Sequence, residues 1–322
     1  MMFTRHRRLR RTSVMRQLVR ETQLSCDDLI YPLFIKEGLK KKQEISSMPG
    51  IYQLSMADLL DEVASCLSRG LKSFIIFGIP QHKDPIGSQA SDDNGIVQQA
   101  IGLIKKHYPE VLLIADTCLC EFTSHGHCGL LDGQTVLNDA SLERLVDVAL
   151  SQARAGADII APSNAMDGFV YAIRKALDSS GFEDIPIMSY AVKFASSFYG
   201  PFREAAEGAP SFGDRKTYQM DPANRLEALR EAQSDEKEGA DFLMVKPAMA
   251  FLDILRDLRQ ESKLPLVAYN VSGEYAMIKA AAQKGWINEK AIVLETLLGM
   301  KRAGADLIIT YFAKDVANYL QE

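Results

Sequence analysis

Three of the five cysteines and two of the five histidines fall within eleven residues, in Asp116-Thr-Cys118-Leu-Cys120-Glu-Phe-Thr-Ser-His125-Gly-His127-Cys128. Cys118 and Cys120 point the same way if the segment is extended, and the Gly-containing turn can bring Cys128 back. Three thiolates and one open position form a catalytic zinc arrangement. Closure by His125 or His127 would give a four-ligand structural site, and the spacing leaves that choice open. Small buried thiols with no metal are the alternative, and the expected state of Cys26 and Cys66. A redox pair fits less well, because neither cysteine pair has the C-x-x-C spacing.

Two apolar runs end in lysine, one at Ser189-Tyr190-Ala191-Val192-Lys193 and the other at Val245-Lys246-Pro247. Apolar flanks desolvate an amine, which lowers its pKa, and a second ammonium nearby lowers it further. The neutral amine attacks a ketone or aldehyde to form a Schiff base. Taken singly, each lysine reads equally well as an ion-pair partner or a phosphate binder. Two lysines ending consecutive strands shift the balance towards carbonyl chemistry.

The stretch from Phe194 to Asp221 is long for a connection and reads as a lid. It carries Phe198, Tyr199, Phe202, Arg203, Arg215, Lys216 and Tyr218, with Gly200, Gly208 and Gly213 as pivots. Arginine grips carboxylate in a bidentate fork, so Arg203 and Arg215 suit an acidic substrate, although solvated charge on a mobile loop is the plainer alternative. Asp116, Ser163, Asn164, Ser272 and Tyr311 end other apolar runs and are weak signals alone. Ser272 also suits a helix cap.

The elements that would position these residues form a regular series. Short aliphatic runs recur at 30–35, 73–78, 111–116, 157–162, 185–190, 241–246, 265–270 and 306–311. Nearly continuous apolar runs of this length suit parallel strands buried on both faces. Helical periodicity fills the gaps, as in MADLLDEVASCLSRG and SLERLVDVALSQARAG. The junctions Ala155-Gly156-Ala157-Asp158, Glu238-Gly239-Ala240-Asp241 and Ala303-Gly304-Ala305-Asp306 each read as a helix C-cap feeding a strand. Eight such units predict a (β/α)8 TIM barrel. A doubly wound open sheet is second, since no G-x-G-x-x-G follows the first strand. The domain reading is an N-terminal arm over 1–28 and a single catalytic barrel over 29–322. The barrel places chemistry at the C-terminal strand ends, where the cysteines and both lysines fall.

Composition agrees with a globular enzyme. The chain has 322 residues, 47% hydrophobic and 25% charged, with a net charge of −5. Five cysteines argue against a disulfide-dense secreted module. No run reaches the roughly 18 apolar residues of a membrane span, and the start lacks a secretory apolar core. The expectation is a cytoplasmic enzyme with no membrane or nucleic-acid partner. Arg5, Arg7, Arg8, Arg10, Arg11, Arg16 and Arg20 make the arm basic; a transit peptide and a subunit-wrapping arm are both readings of it.

Cys118-x-Cys120-x7-Cys128, the segments SYAVKFASSFYGPFREAA around Lys193 and GDRKTYQM, and FLMVKP around Lys246 together resemble the porphobilinogen synthase (5-aminolevulinate dehydratase) family. The resemblance runs from RRLRRTSVMRQLVRET to KRAGADLIITYFA, essentially the whole chain. It implies condensation of two 5-aminolevulinate molecules to porphobilinogen with loss of two waters, in haem biosynthesis. By position it gives Lys246 the first, P-side Schiff base and Lys193 the second, A-side one. Cys118, Cys120 and Cys128 match the catalytic zinc ligands. Arg203, Arg215 and Gln219 match the A-side carboxylate contacts, and Ser272 and Tyr311 the P-side ones. Asp116, Ser163 and Tyr199 match further active-site positions, and Glu236 the ligand of an allosteric magnesium. The family implies a homooctamer whose arm wraps a neighbouring subunit. Thr217 stands where animal members carry a cysteine of a second metal site, and Asn164 where an aspartate is common. A class I aldolase-like barrel would leave the cysteines and one lysine idle. A zinc-containing nucleic-acid binder rests on the arginine arm alone, and C-x-C-x7-C is not a zinc-finger spacing.

Overall fold

Eight of the aliphatic runs are parallel strands in the computed structural model, which describes residues 3–321. They are β1 (Leu29–Lys36), β2 (Ser73–Ile79), β3 (Leu112–Thr117), β4 (Ile159–Pro162), β5 (Met188–Lys193), β6 (Phe242–Lys246), β7 (Leu266–Asn270) and β8 (Leu307–Thr310). Continuous ladders run β4–β3–β2–β1–β8–β7–β6–β5. The ring closes between β4 and β5 through a single bridge, Ile160 to Ile187, where the Ile160 N–H donates to the Pro186 carbonyl at 3.1 Å. Helices alternate with the strands and cover the outside, giving the TIM barrel that the run pattern predicts. The fifth strand begins three residues later than its apolar run, because the run opens at Ile185-Pro186 and the ladder with β6 starts only at Met188.

The thrice-repeated junction does more than cap helices. Gly156 and Gly239 adopt φ of 100° and 108°, the left-handed turn that ends the helix. The aspartate two residues later then clips the new strand to its predecessor. Asp158 donates its N–H to the Leu113 carbonyl at 2.9 Å and accepts the Leu113 N–H on Oδ2 at 2.7 Å. Asp241 makes the same pair with Ile187, at 2.9 and 2.8 Å. Asp306 makes it with Leu266, both at 2.8 Å. Three of the four odd–even strand pairs are thus locked at the end of the barrel opposite the lysines.

The lid leaves β5 and returns to it. The Met220 N–H donates to the Lys193 carbonyl at 3.1 Å, and Ala195 donates to the Met220 carbonyl at 2.8 Å. Between these points lie a short helix, Gly200–Ala205, and irregular chain. Residues before β1 carry a short helix, Ser13–Leu18, whose cap Thr12 accepts the Met15 N–H at 3.1 Å. None of its residues is buried. Among the described residues no helix is long and apolar enough to cross a membrane.

Candidate active site

Lys193 and Lys246 are direct partners in the β5–β6 ladder. That pairing depends on an irregularity. Leu243 pairs with Ser189 but Val245 pairs with Val192, so two residues of β5 stand opposite one of β6. The extra residue is a β-bulge at Tyr190-Ala191. Side chains alternate along a strand, so a regular β5 would put Lys193 on the same face as Ser189, which points out to a helix. The bulge reverses the phase and turns Lys193 inward beside Lys246.

The two amines have different surroundings. Lys246 Nζ is caged by ring faces, 4.4 Å from the centre of Tyr269, 4.9 Å from Tyr190, 5.0 Å from Phe202 and 5.5 Å from Tyr199. Burial, and next the Lys193 charge, bring its pKa down to about 7. Lys193 is equally buried, at 6% exposure, but its Nζ donates to the Ser163 carbonyl. Asp116, ending β3, accepts from Ser163 Oγ at 3.0 Å. Burial, and next Glu121, push the Asp116 carboxyl up to about 7 against the pull of the two lysines.

The three thiols converge as the spacing predicts. Cys118, Cys120 and Cys128 are buried with sulfurs all within 4.8 Å, and are the group among the described residues that could hold a metal ion. Both histidines are committed elsewhere. His127 places Nδ1 3.1 Å from the Tyr218 hydroxyl and Nε2 3.1 Å from the Phe212 carbonyl. His125 accepts the His127 N–H on Nδ1 and sets Nε2 against the Pro85 carbonyl. Neither histidine therefore joins the thiols, which stand as a group of three. Hydrogen bonds from Cys118 and Cys120 pull the Cys128 thiol well below its usual range, while burial pushes Cys118 up and its thiol neighbours push Cys120 up. Three buried thiols this close together are a set that a soft divalent ion completes by displacing protons.

The lid closes over these groups. Arg215 is buried and donates from Nη2 to the carbonyls of Gly208 at 2.6 Å and Gly126 at 2.8 Å, joining lid to cysteine loop. Burial opposes its charge, but the Cys128 and Cys120 sulfurs outweigh that and hold the guanidinium protonated. Ser272, at the start of the helix after β7, accepts the Phe202 N–H at 2.9 Å and donates to the Phe198 carbonyl at 3.3 Å. The Tyr199 hydroxyl meets the carbonyls of Phe194 at 2.8 Å and Lys246 at 3.0 Å. The cavity left beneath is about 20 Å³, room for one water. Asp116, Cys120, Lys193, Lys246, Arg203 and Gln219 are on its walls, so this closed form opens before it admits a larger molecule.

Two buried polar atoms in this region have no hydrogen-bond partner, Arg215 Nε and Gln219 Nε2, while the Tyr190 hydroxyl is turned to the Asp116 carboxyl. Unpaired buried groups are rare, and their convergence here marks a place for a polar ligand. Both are donors from the lid, suited to a carboxylate.

Other expected residues are spread more widely. Tyr311, the residue after β8, lies beneath the cage with its hydroxyl 3.3 Å from that of Tyr269 and its ring stacked on Phe34. Thr217 borders a separate cleft of about 610 Å³ that touches the far side of Lys193 and Gln219. Buried Asn164 lies two residues past β4 and accepts the Met166 N–H at 3.0 Å, forming a turn. Glu236 lies half-buried in the last turn of the outer helix Arg225–Glu238, away from the cavity. Sequence reading did not single out Tyr190, Tyr269 or Glu121. Only Glu121 left a signal: it is a carboxylate inside the cysteine loop, and Cys120 Sγ lies 3.2 Å from its Oε2.

The family model of Delta-aminolevulinic acid dehydratase matches residues 3–319. The delta-aminolevulinic acid dehydratase of Bacillus subtilis is 64% identical over 320 residues, covering 99% of each chain. That of Halalkalibacterium halodurans is also 64% identical, covering 99% of this chain and 98% of its own. Among solved structures, the delta-aminolevulinic acid dehydratase (porphobilinogen synthase) of Toxoplasma gondii, in complex with the reaction product porphobilinogen, superposes with a TM-score of 0.97. It is 47% identical and is matched over 99% of this chain and 92% of its own.

Proposed function

The chain belongs to the delta-aminolevulinic acid dehydratase family, and from that premise we propose that its barrel works through imines on Lys246 and Lys193. The reaction is the condensation of two 5-aminolevulinate molecules to porphobilinogen with loss of two waters, the lyase step of porphyrin and haem biosynthesis. The observation that carries the lysine assignment is their pairing across β5–β6 in a dry cage, one of them with a pKa near 7.

Lys246 takes the first substrate. Its neutral amine attacks the ketone, the carbinolamine loses water, and the imine stays inside the ring cage, shielded from hydrolysis. Lys193 takes the second ketone at the neighbouring ladder position, so both carbons are held side by side. Tyr311 and Ser272 receive the P-side carboxylate. Arg203, Arg215 and Gln219 receive the A-side one, satisfying the unpaired Arg215 Nε and Gln219 Nε2. Asp116, steadied by Ser163, holds or releases a proton beside both amines. Tyr199 fixes the lid hinge over Lys246.

Cys118, Cys120 and Cys128 would hold Zn2+, with Cys120 on the cavity wall. Bound there, zinc would supply Lewis-acid chemistry at the A side. Glu236 would bind an allosteric Mg2+ on the outer layer. The arm favours a homo-oligomer, taken as the octamer: its six-residue helix is too short to stand alone, and Val14 and Leu18 are 70% and 77% exposed. The setting is the cytoplasm. Trapping with borohydride in the presence of 5-aminolevulinate, followed by peptide mass spectrometry, tests the reading. An adduct on Lys246 supports it, and an active enzyme with no lysine adduct overturns it.

A further inference from the structure

We propose that Asp235 is a positioning residue for this reaction: by holding Ser189 on the outer face of β5, it fixes the bulge that turns Lys193 into the barrel. The inference rests on the reading that Lys193 carries the second substrate.

The bulge lies between two anchored stretches. Below it, Ile187 is clipped by Asp241, and Met188 pairs with Phe242. Above it, the Lys193 carbonyl accepts from Met220, and the Phe194 N–H donates to the Lys246 carbonyl at 3.0 Å. The four residues between, 189–192, carry the phase change. On the outer face of this stretch, Ser189 Oγ donates to Asp235 Oδ2 at 2.5 Å. Val192 and Ala191 offer only packing, and Tyr190 is turned inward, to Asp116 and the Lys246 amine. A β5 that slipped to regular alternation would keep Val245 and Lys246 in place but send Lys193 outward. The serine–aspartate bond makes the outward face of residue 189 unambiguous, and the phase of everything above follows from it.

Asp235 is also an expensive way to fill space. It is 4% exposed on the inner face of helix Arg225–Glu238, where an aliphatic side chain would pack without losing hydration. Its worth therefore lies in where it directs the strand.

The test uses the full-length enzyme with Ser189→Ala, Asp235→Leu and Asp235→Asn. Three quantities are read: turnover against 5-aminolevulinate concentration, thermal melting, and borohydride-trapped adducts by mass spectrometry. Ser189→Ala and Asp235→Leu are expected to slow condensation about tenfold or more and raise KM, as a small misplacement of a reacting group does. The Lys246 adduct should stay at the wild-type level. Asp235→Asn keeps the acceptor and should keep the rate. Wild-type turnover in both Ser189→Ala and Asp235→Leu overturns the proposal, and so does a Lys246 adduct that falls in step with the rate. If Asp235→Leu does not fold, Ser189→Ala decides alone. A wild-type enzyme that turns over yet traps no adduct sinks the imine reading itself, a result distinct from either.

Discussion

The Lys246 amine sits 4.4 Å from the centre of the Tyr269 ring, with three further aromatic faces within 5.5 Å. Burial, and next the Lys193 charge, bring the amine's pKa down to about 7 against the pull of Asp116, Cys120 and Glu121. Its folded pKa lies below the ordinary lysine value, so the reactive neutral form fills as pH rises through about 7 and empties as pH falls. Single-turnover imine formation on 5-aminolevulinate should drop about tenfold for each pH unit below that point. A rate constant that is flat from pH 8 down to pH 5 would count against the depressed lysine.

The two lysines should separate by substitution. Lys246→Met is expected to abolish turnover and the adduct trapped with a single substrate. Lys193→Met should still trap an adduct on Lys246 while condensation stops. Trapping confined to Lys193, with Lys246→Met still active, would reverse the assignment.

Metal dependence should reside in the thiol cluster. Cys120→Ala removes one of three ligands within a 4.8 Å group, while the barrel core does not rely on it. The expected outcome is loss of bound zinc by elemental analysis and of most activity, with unchanged far-ultraviolet dichroism. Purified wild type that contains no zinc and ignores chelators would refute the assignment.

Ser272 ties the lid twice, to Phe202 and Phe198. Ser272→Ala should release about 1 kcal/mol of lid closure, which corresponds to a KM about fivefold higher. Limited proteolysis within 194–221 should speed up in parallel. A rise in KM without faster cleavage would assign the serine to substrate alone.

Deleting residues 3–20 removes seven arginines and the exposed arm helix. Sedimentation velocity should show a smaller assembly, with reduced activity. An unaltered profile would exclude the arm from subunit contact.

Much of this protein is legible in the order of its residues. Eight aliphatic runs separated by helical periods specify a barrel, because strands buried on both faces need apolar side chains at nearly every position. The cysteine spacing specifies a three-thiol cluster, because those residues are close along the chain and need only a local turn. Lysines at strand ends place amines at the catalytic mouth for the same local reason. What the linear order leaves open is set by contacts between distant segments. Whether a histidine joins the thiols is decided by Tyr218 and Phe212, some 85 to 91 positions away, which occupy the His127 nitrogens. The cage around Lys246 draws rings from β5, β7 and the lid. Lys193 faces Lys246 through a one-residue bulge that β5 displays only when aligned with β6 and Asp235. Side-chain direction in a strand has period two, so a single inserted residue inverts it, and that insertion exists in the pairing of two strands and not in either sequence alone.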